Sequence, residues 1–375
     1  MLNEIISGQA AKIPEAVNKP LVIYGAGKLG KLAVDFFDHC NLPVECVLDQ
    51  NVNSEGFFEN SIPLFHPDKI AKSKRDQYLV VIAIVNTPIT TIINKLRNNG
   101  WKHVMPFYDV AQNYTHLNPL NNGWFSGSLN LEEKNNLKNV LMLWNDDQSR
   151  AAYLQFLAWR ILRQEWTFET ATINTLTRFF TNPVLQALTD HEVFVDLGAH
   201  DGGVVLRFLE ITNYQFSAVF AFEPDIENYK QLEKSLSEVS NIHRGKISIF
   251  QTALDEYSRP RFFYNGFGLT SRLGSEGEQL VSTIPLDKMQ IPASFIKIHI
   301  EGGELDALKG SCLTIKTHRP LLAITVYHNS DGMWKIPLYL SDNFDDYIFF
   351  FAVHAWCGTG AVLYGIPKER FKGFL

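Results

Sequence analysis

A glycine-containing turn and a later acidic residue form the most informative chemical feature of this chain. Residues 193–203 read Val-Phe-Val-Asp-Leu-Gly-Ala-His-Asp-Gly-Gly, an apolar segment that runs directly into a turn. Glycines in such a turn let the backbone approach a ligand where a Cβ atom would collide. Glu223 ends the next apolar run, and an acid about 20–25 residues after the turn can accept hydrogen bonds from both hydroxyls of a ribose. The pair predicts a nucleoside site.

The ligand of this turn is predicted partly from what the turn lacks. The spacing Gly-x-Gly-x-x-Gly, which cradles the phosphates of dinucleotides, does not occur here. Asp196 stands at the start of the turn, where it suits an ammonium-bearing ligand better than a pyrophosphate. We therefore predict an S-adenosylmethionine site to which the turn contributes Asp196, Gly198, His200 and Gly202.

An acid-base centre is predicted in a second segment. If residues 295–300 form a strand, side-chain alternation places Lys297, His299 and Glu301 on one face. That face runs toward the C-terminal end of the strand, where open α/β sheets bind their ligands. A histidine with an ordinary pKa of about 6.5 can remove a proton from a hydroxyl at neutral pH. His299 is therefore the first candidate base, and Glu301 is its orienting partner or the base itself.

The candidate catalytic and substrate residues also have structural interpretations. His299 can be a hydrogen-bonded histidine of the cleft, and His328, which follows Tyr327 near the end of a later strand, can bind substrate, supply the base or only support the fold. Glu304 lies where a helix begins, so capping and substrate binding are equal alternatives for it. Tyr327 is a second candidate substrate residue. No group of residues has metal-ligand spacing, so no metal is expected, and a magnesium site at Glu301 and Glu304 has no further support.

The segment 262–272 mixes aromatic residues, glycines and hydroxyls. It predicts a loop that stacks against a flat or sugar-like substrate, or else a buried hairpin.

A separate glycine motif lies near the N-terminus. Gly25-Ala-Gly27-Lys-Leu-Gly30 follows an apolar strand, opens a helix and is followed by Asp49 at the end of the next strand. This context favours a nucleotide, nucleotide-sugar or NAD site, with phosphates at the helix N-terminus and Asp49 on a ribose. The alternative is that the glycines only permit a tight turn and close helix packing. Both interpretations stay open.

Two series of alternating strands and helices must position these residues. Helices that follow each strand predict parallel sheets, hence an α/β fold. The second series contains seven predicted strands, of which the last two form an antiparallel hairpin at the sheet edge. The predicted strands cover residues 21–24, 44–48 and 78–84 in the first series, and 193–197, 217–222, 247–253, 295–300, 321–327, 346–353 and 361–366 in the second.

Length and composition favour a two-domain protein with well-buried cores, because the chain has 375 residues of which 46% are hydrophobic. We predict a Rossmann-like domain at 1–115, a linker and helical connector at 116–190, and a second domain at 191–375. The net charge of −6 argues against nucleic acid or an anionic membrane as partner. No segment has the ~20 apolar residues of a membrane span. A cytoplasmic location is expected, and a homo-oligomer is left open.

The second half resembles a known family in several blocks. Residues 295–310 read Phe-Ile-Lys-Ile-His-Ile-Glu-Gly-Gly-Glu-Leu-Asp-Ala-Leu-Lys-Gly, and Val326-Tyr-His328 follows. Over roughly residues 190–367, the chain resembles the FkbM family of S-adenosylmethionine-dependent O-methyltransferases. The resemblance implies a class I, seven-stranded methyltransferase domain that methylates a hydroxyl, often of a sugar or natural product. It also implies that Glu223 binds the ribose and that Thr252 and Ala253 lie near the adenine.

Two departures from the family pattern keep other functions open. His299 stands where the pattern has aspartate, and Gly303 where it has alanine. The leading hypothesis is an O-methyltransferase acting on a carbohydrate or other small molecule. The alternatives are an NAD-dependent or nucleotide-sugar-binding enzyme centred on the N-terminal motif, and a binding protein that keeps the fold without turnover.

Overall fold

The chain folds into two compact units. The computed structural model describes residues 1–9, 16–118, 120, 125–264, 272–274 and 279–373. The first unit comprises Met1–Leu129, Ala151–Thr175 and Val353–Gly360, and the second comprises Asn130–Arg150, Leu176–Ala352 and Ala361–Leu375. The predicted connector 116–190 is thus shared between the two units.

A six-stranded sheet forms the centre of the first unit. Its order is β3-β4-β2-β1-β5-β6, and every neighbouring pair is parallel except β3 and β4. The strands are β1 (Leu21–Tyr24), β2 (Val44–Leu48), β3 (Gly56–Phe57), β4 (Pro63–Phe65), β5 (Leu79–Ile82) and β6 (His103–Pro106). The helices are α1 (Leu2–Ser7), α2 (Lys28–His39), α3 (Ile89–Asn98) and α4 (Phe107–Ala111), with 3-10 turns at Glu59–Ser61, Pro67–Lys69, Lys72–Gln77 and Gln112–Tyr114. All four residues of β1 are buried, as expected for a central parallel strand.

A helical segment follows between residues 131 and 187. Its elements are α5 (Leu131–Leu143), α6 (Asp147–Leu157), a π-helical turn (Ala158–Leu162), a 3-10 turn (Thr175–Thr177) and α7 (Asn182–Ala187). Asn130 begins α5 with a capping box, in which its side chain accepts from the Glu133 amide and Glu133 accepts from the Asn130 amide.

A seven-stranded sheet forms the centre of the second unit, as the sequence predicts. Its order is β16-β17-β15-β14-β7-β8-β9, with β15 and β17 antiparallel and the strands from β15 to β9 parallel. The strands are β7 (Val193–Leu197), β8 (Ala218–Phe222), β9 (Ile247–Phe250), β14 (Phe295–Ile298), β15 (Leu321–Thr325), β16 (Tyr347–Val353) and β17 (Ala361–Pro367). A smaller sheet contains β10 (Ala253–Leu254), β11 (Pro260–Tyr264), β12 (Arg272–Gly274) and β13 (Gln279–Ile284).

Helices and short turns follow the strands of this second sheet. They are α8 (Gly203–Ile211), α9 (Ile226–Ser237), α10 (Asn241–Arg244), α11 (Glu304–Lys309), α12 (Cys312–His318) and α13 (Gly332–Asn343), with 3-10 turns at Leu286–Met289 and Lys368–Arg370. Aliphatic and aromatic side chains together form the core, and Phe194 packs on both Phe208 and Phe295. Across the described residues, no helix is long and apolar enough to cross a bilayer.

Four strands end earlier than their apolar runs suggest, namely β5, β9, β14 and β15, and the last two border the candidate site. β14 ends at Ile298 rather than at residue 300, because Glu301 and Gly302 both take positive φ angles, of 54° and 110°. β15 likewise ends at Thr325 rather than at residue 327. Both strands therefore give way to turns at the edge where the candidate site lies.

Candidate functional site

The glycine turn after β7 has a geometry that only glycine satisfies. Gly198 has a φ of 82°, and a Cβ atom at this position would lie 2.0 Å from the carbonyl oxygen of His299. The amides of Gly198 and Ala199 both donate to the carbonyl oxygen of Phe222, at 2.9 Å. These bonds tie the turn to the end of β8. The turn therefore lies directly beside the acid that follows β8.

Glu223 holds the two loops of this cleft together. Its Oε2 atom accepts a hydrogen bond from the His200 amide at 2.8 Å, and its Oε1 atom accepts one from the Asp225 amide at 3.0 Å. Burial raises the pKa of Glu223, while the two amide hydrogen bonds lower it in part. Only 5% of the residue is exposed, yet it lines the cavity. A carboxylate has about four acceptor sites, so two remain for ligand hydroxyls.

One cavity collects most of the predicted cofactor residues. Its walls include Gly198, His200, Glu223, Thr252 and Ala253 from the predicted cofactor set, together with His299 and Glu301 from the predicted catalytic set. The remaining wall residues are Phe222, Pro224, Asn228, Leu254, Phe263 and Ile300. Residues that are far apart along the chain therefore share one cleft.

Two predicted cofactor residues have other structural roles. Asp196 is fully buried and does not line the cavity, because its Oδ1 atom accepts a hydrogen bond from Lys297 Nζ at 2.7 Å. The prediction that Asp196 faces an ammonium group of the ligand therefore does not match its position. Gly202 begins α8 with a φ of 84°, and a Cβ there would lie 3.0 Å from Leu232 Cδ1. Gly202 therefore allows close packing against α9.

The predicted catalytic residues form a compact cluster. His299 Nε2 lies 3.1 Å from Glu301 Oε1, and His328 Nε2 lies 3.3 Å from the same oxygen. The two imidazole rings stack with their centroids 5.1 Å apart and an interplanar angle of 11°. The alternation argument that grouped Lys297 with His299 and Glu301 fails, because the strand ends before His299. The turn nevertheless brings the His299 and Glu301 side chains together.

Glu304 holds this cluster in place through hydrogen bonds. Its Oε1 atom lies 2.6 Å from His328 Nδ1 and also accepts from Thr325 Oγ1, at 3.0 Å. Its carboxylate further accepts hydrogen bonds from the Ile300 and Gly302 amides, at 3.2 and 3.1 Å. Since Glu304 is only 1% exposed, it holds the turn and His328 in place and does not face a substrate. Glu304 also lies in the first turn of α11, which agrees with the capping alternative, whereas its burial does not fit substrate binding.

The charges of the cluster follow from burial and mutual attraction. Burial lowers the pKa of His299 well below its usual value, and the charge of Arg178 adds to this effect. Burial also disfavours a charged His328, but Glu301 and Glu304 outweigh it and raise the pKa of His328 well above its usual value. Burial opposes ionisation of Glu301 too, but the charge of His328 and a hydrogen bond with His299 lower its pKa. At neutral pH, His299 is therefore neutral, His328 is protonated and Glu301 is ionised.

Two further residues of this region escape the sequence analysis. Arg178 donates a hydrogen bond to the hydroxyl of Tyr327 at 2.9 Å, and that hydroxyl lies 3.2 Å from His299 Nε2. Phe179 packs beside His299, with ring centroids 6.0 Å apart. Both residues precede α7 in a segment without a motif, so no sequence signal marks them. Phe263, which belongs to the predicted aromatic loop, lines the cavity, but residues 265–271 of that loop lie outside the described residues.

The N-terminal glycine motif lines a separate cleft within the first unit. Asp49 accepts hydrogen bonds from the Ala26 and Asn51 amides, both at 2.8 Å. Gly25, Gly27 and Asp49 line the cleft, whereas Gly30 packs so closely that a Cβ would lie 2.1 Å from the Gly25 carbonyl oxygen. Gly27 has no neighbouring atom within 4 Å of an added Cβ. Asp49 and Glu223 thus make equivalent bonds to their respective glycine turns.

Comparison with known proteins supports the assignment of the second unit. Residues 196–356 match the family model of the methyltransferase FkbM domain. The fold is similar to a crystal structure of methyltransferase FkbM from Methylobacillus flagellatus KT, with a TM-score of 0.67 and 19% identity over 97% of this chain and 92% of that chain. A precorrin-6y C5,15-methyltransferase from Geobacter metallireducens GS-15 is also matched, with a TM-score of 0.31 and 14% identity over 48% of this chain and 82% of that chain. That score is too low to support an argument. Among curated proteins, none matches the sequence.

The cavity residues fit S-adenosylmethionine by their chemistry. Glu223 offers free acceptor sites to ribose hydroxyls, and Ala253, Leu254 and Phe263 offer apolar surface to a nucleobase. The cavity lies beyond the C-terminal ends of β7 and β8, where open α/β sheets bind nucleosides. With these features, the chain is identified as an S-adenosylmethionine-dependent methyltransferase, in which residues 196–356 match the model of the methyltransferase FkbM domain.

Proposed function

We propose that this enzyme transfers a methyl group to a hydroxyl of a carbohydrate or another small molecule. The observation that carries the proposal is that His299 and Glu301, two members of the cluster with His328, line the same cavity as Glu223. A neutral hydroxyl is a poor nucleophile, so its methylation requires a group that promotes loss of the proton. The cluster supplies such a group beside the cofactor site.

Each residue has a defined part in this proposal. Bound S-adenosylmethionine supplies the methyl group from its sulfonium. Glu223 binds the ribose hydroxyls and keeps the two cofactor loops together through the His200 and Asp225 amides. His299, which is neutral at pH 7, presents a nitrogen lone pair that can take the hydroxyl proton or bind an ion that activates the oxygen. Tyr327, held by Arg178, contributes a hydroxyl that can orient the acceptor.

A carbohydrate acceptor is supported by the mixed character of the cleft wall. Aromatic Phe263 and Phe222 offer faces on which a sugar ring can pack, while Asn228 and His200 offer polar groups for its hydroxyls. Polar hydrogen bonds with apolar stacking are the usual combination for a sugar-like ligand. We propose no nucleic-acid or membrane partner, because the net charge is −6.

Methyl transfer from labelled S-adenosylmethionine tests this proposal. The acceptor panel should contain carbohydrates, other hydroxylated small molecules, and matched amines and thiols. We expect transfer to a hydroxyl and a fall of about 10²–10⁴-fold in kcat for His299→Ala, since an activating group is removed. His191→Ala, which changes an exposed histidine (84% of its side chain exposed) outside the cavity, is the matched control. Transfer only to amines or thiols would contradict the proposal, and cofactor binding without any transfer would favour a non-catalytic binding protein.

We also propose a nucleoside-type ligand, such as the nucleotide of a nucleotide-sugar or NAD, for the N-terminal cleft. The favouring observation is that Asp49 bonds its glycine turn in the same way as Glu223 bonds the turn after β7. Fluorescence titration with NADH and calorimetric titration with uridine diphosphate test it. Gly27→Ala should weaken binding with little loss of thermal stability, because no atom of the described residues lies within 4 Å of the added methyl. Absence of binding by the wild type at millimolar ligand would leave the motif with a packing role only.

A further inference from the structure

We infer that His299, Glu301 and His328 bind one divalent transition-metal ion. One potential ligand atom from each of these residues lies within 4.8 Å of the other two. Spacing along the sequence gave no sign of this group, because His328 follows a different strand from the other two. The fold brings them together where the turns after β14 and β15 meet.

The distances from Glu301 to the two histidines suit a shared metal ion, and the two histidine nitrogens lie within 4.8 Å of each other. Metal–ligand bonds of about 2.1 Å at tetrahedral or octahedral angles place neighbouring ligand atoms roughly 3.0–3.4 Å apart. Glu301 Oε1 lies 3.1 Å from His299 Nε2 and 3.3 Å from His328 Nε2. With two histidine nitrogens and one carboxylate as ligands, the metal ion would keep further coordination positions open for a ligand from the cavity.

The orientation of His328 is the second, independent observation. Its side chain is fully buried, and its Nε2 atom lies 3.3 Å from Glu301 Oε1 but makes no hydrogen bond of good geometry among the described residues. Its Nδ1 atom is engaged by Glu304 at 2.6 Å. Metal-binding histidines typically donate their second ring N–H to a carboxylate, which fixes the ring and makes the metal-facing nitrogen more basic. Glu304 has this role here, and its bonds to the Ile300 and Gly302 amides fix it in turn.

The charge of the cluster also favours a cation. Glu301 and Glu304 lie on either side of His328, and both are largely withdrawn from solvent. Two carboxylate groups this close to the proposed site attract a bound cation. Two imidazole ligands favour Zn²⁺, Mn²⁺, Fe²⁺ or Co²⁺ over Mg²⁺ and Ca²⁺, which prefer oxygen.

The metal has a direct use if the proposed function holds, and only this use depends on that function. His299 and Glu301 line the cavity, so an ion at the cluster faces the acceptor side. A hydroxyl oxygen of the acceptor that binds this ion would have a lower pKa than the same hydroxyl free in water. Its proton would then pass to solvent, which makes the oxygen nucleophilic. Metal binding at His299 Nε2 requires the tautomer with the proton on Nδ1, because a protonated Nε2 can donate to Glu301 but cannot bind an ion.

Metal titration of the full chain tests the inference without reliance on activity. Chelator-treated protein should bind about one equivalent of Zn²⁺ by calorimetry, and Co²⁺ should give the visible absorption of a histidine-ligated ion. His299→Ala and Glu301→Gln should each weaken Zn²⁺ binding at least tenfold, with circular dichroism confirming that both variants fold. His191→Ala, which removes an exposed histidine, should bind as the wild type does.

Failure of the metal inference can be told apart from failure of the proposed function. Absence of Zn²⁺ binding by the wild type, or equal binding by wild type, His299→Ala and Glu301→Gln, would overturn the metal site. S-adenosylhomocysteine titration of the same wild-type samples reports on the cofactor site alone. Zn²⁺ binding that depends on the cluster supports the site even if no hydroxyl acceptor is found.

Discussion

Lys297 and Asp196 form a fully buried ion pair between β14 and β7, with Lys297 Nζ 2.7 Å from Asp196 Oδ1. The ammonium group also donates to the carbonyl oxygen of Gly198 at 2.6 Å. The pair therefore joins the strand that leads to the candidate catalytic cluster with the turn that begins the predicted cofactor site. Its position makes it a structural support for both sites.

Removing one partner of this pair should be costly. Lys297→Met leaves a carboxylate without its counter-ion in a site that is at most 1% exposed, and we expect a loss of about 3–5 kcal/mol. The double variant Asp196→Asn/Lys297→Met should recover part of this loss, because no unpaired charge remains. Denaturant unfolding of the single and double variants measures both values. Equal stability of Lys297→Met and wild type would contradict the assigned role.

Gly198 should tolerate no side chain, whereas Gly27 should tolerate one. A Cβ at Gly198 meets the His299 carbonyl oxygen at 2.0 Å, and the φ of 82° adds strain. We expect Gly198→Ala to lower the free energy of unfolding by at least about 2 kcal/mol. Gly27→Ala meets nothing within 4 Å and should cost less than about 1 kcal/mol. Thermal unfolding of the two variants compares them, and similar midpoints would refute the close approach of the turn to His299.

More of the fold and of the candidate cofactor site than of the candidate catalytic cluster could be predicted from the sequence. Apolar runs marked all seven strands of the second sheet, and the glycine turn with Glu223 marked the cofactor cleft. The partners of Asp196 and Glu304 could not be predicted, because Lys297 and His328 reach them from other strands. Arg178 and Phe179 carried no motif at all. The end of β14 was misplaced because left-handed backbone at Glu301 leaves no sequence signal comparable to a glycine.

The ion pair of Arg319 and Glu369 should stabilise the second unit in a pH-dependent manner. Arg319 Nε and Nη2 donate to the two oxygens of Glu369, at 2.6 and 2.8 Å, and these bonds lower the pKa of Glu369 to about 2. A carboxylate with a lowered folded-state pKa stabilises the protein above its unfolded-state pKa. That contribution is lost as the pH falls toward 2.

Comparison of Glu369→Gln with the wild type measures this contribution. Because Glu369 is half exposed, the difference in unfolding free energy at pH 7 should stay below about 1 kcal/mol. The difference should shrink between pH 4.5 and pH 2. A difference that stays constant over this interval would show that the ion pair is not its source.

Binding of S-adenosylhomocysteine tests the central claim most directly. Calorimetric titration of the wild type should show one site per chain, and Glu223→Ala should weaken binding more than tenfold, because it removes the acceptor of the ribose hydroxyls and the partner of the His200 and Asp225 amides. Glu223→Gln, which keeps one carbonyl acceptor, should lose less affinity than Glu223→Ala. Asp49→Ala, in the other cleft, should bind as the wild type does. Absence of binding by the folded wild-type protein, or equal affinity of wild type and Glu223→Ala, would contradict the account.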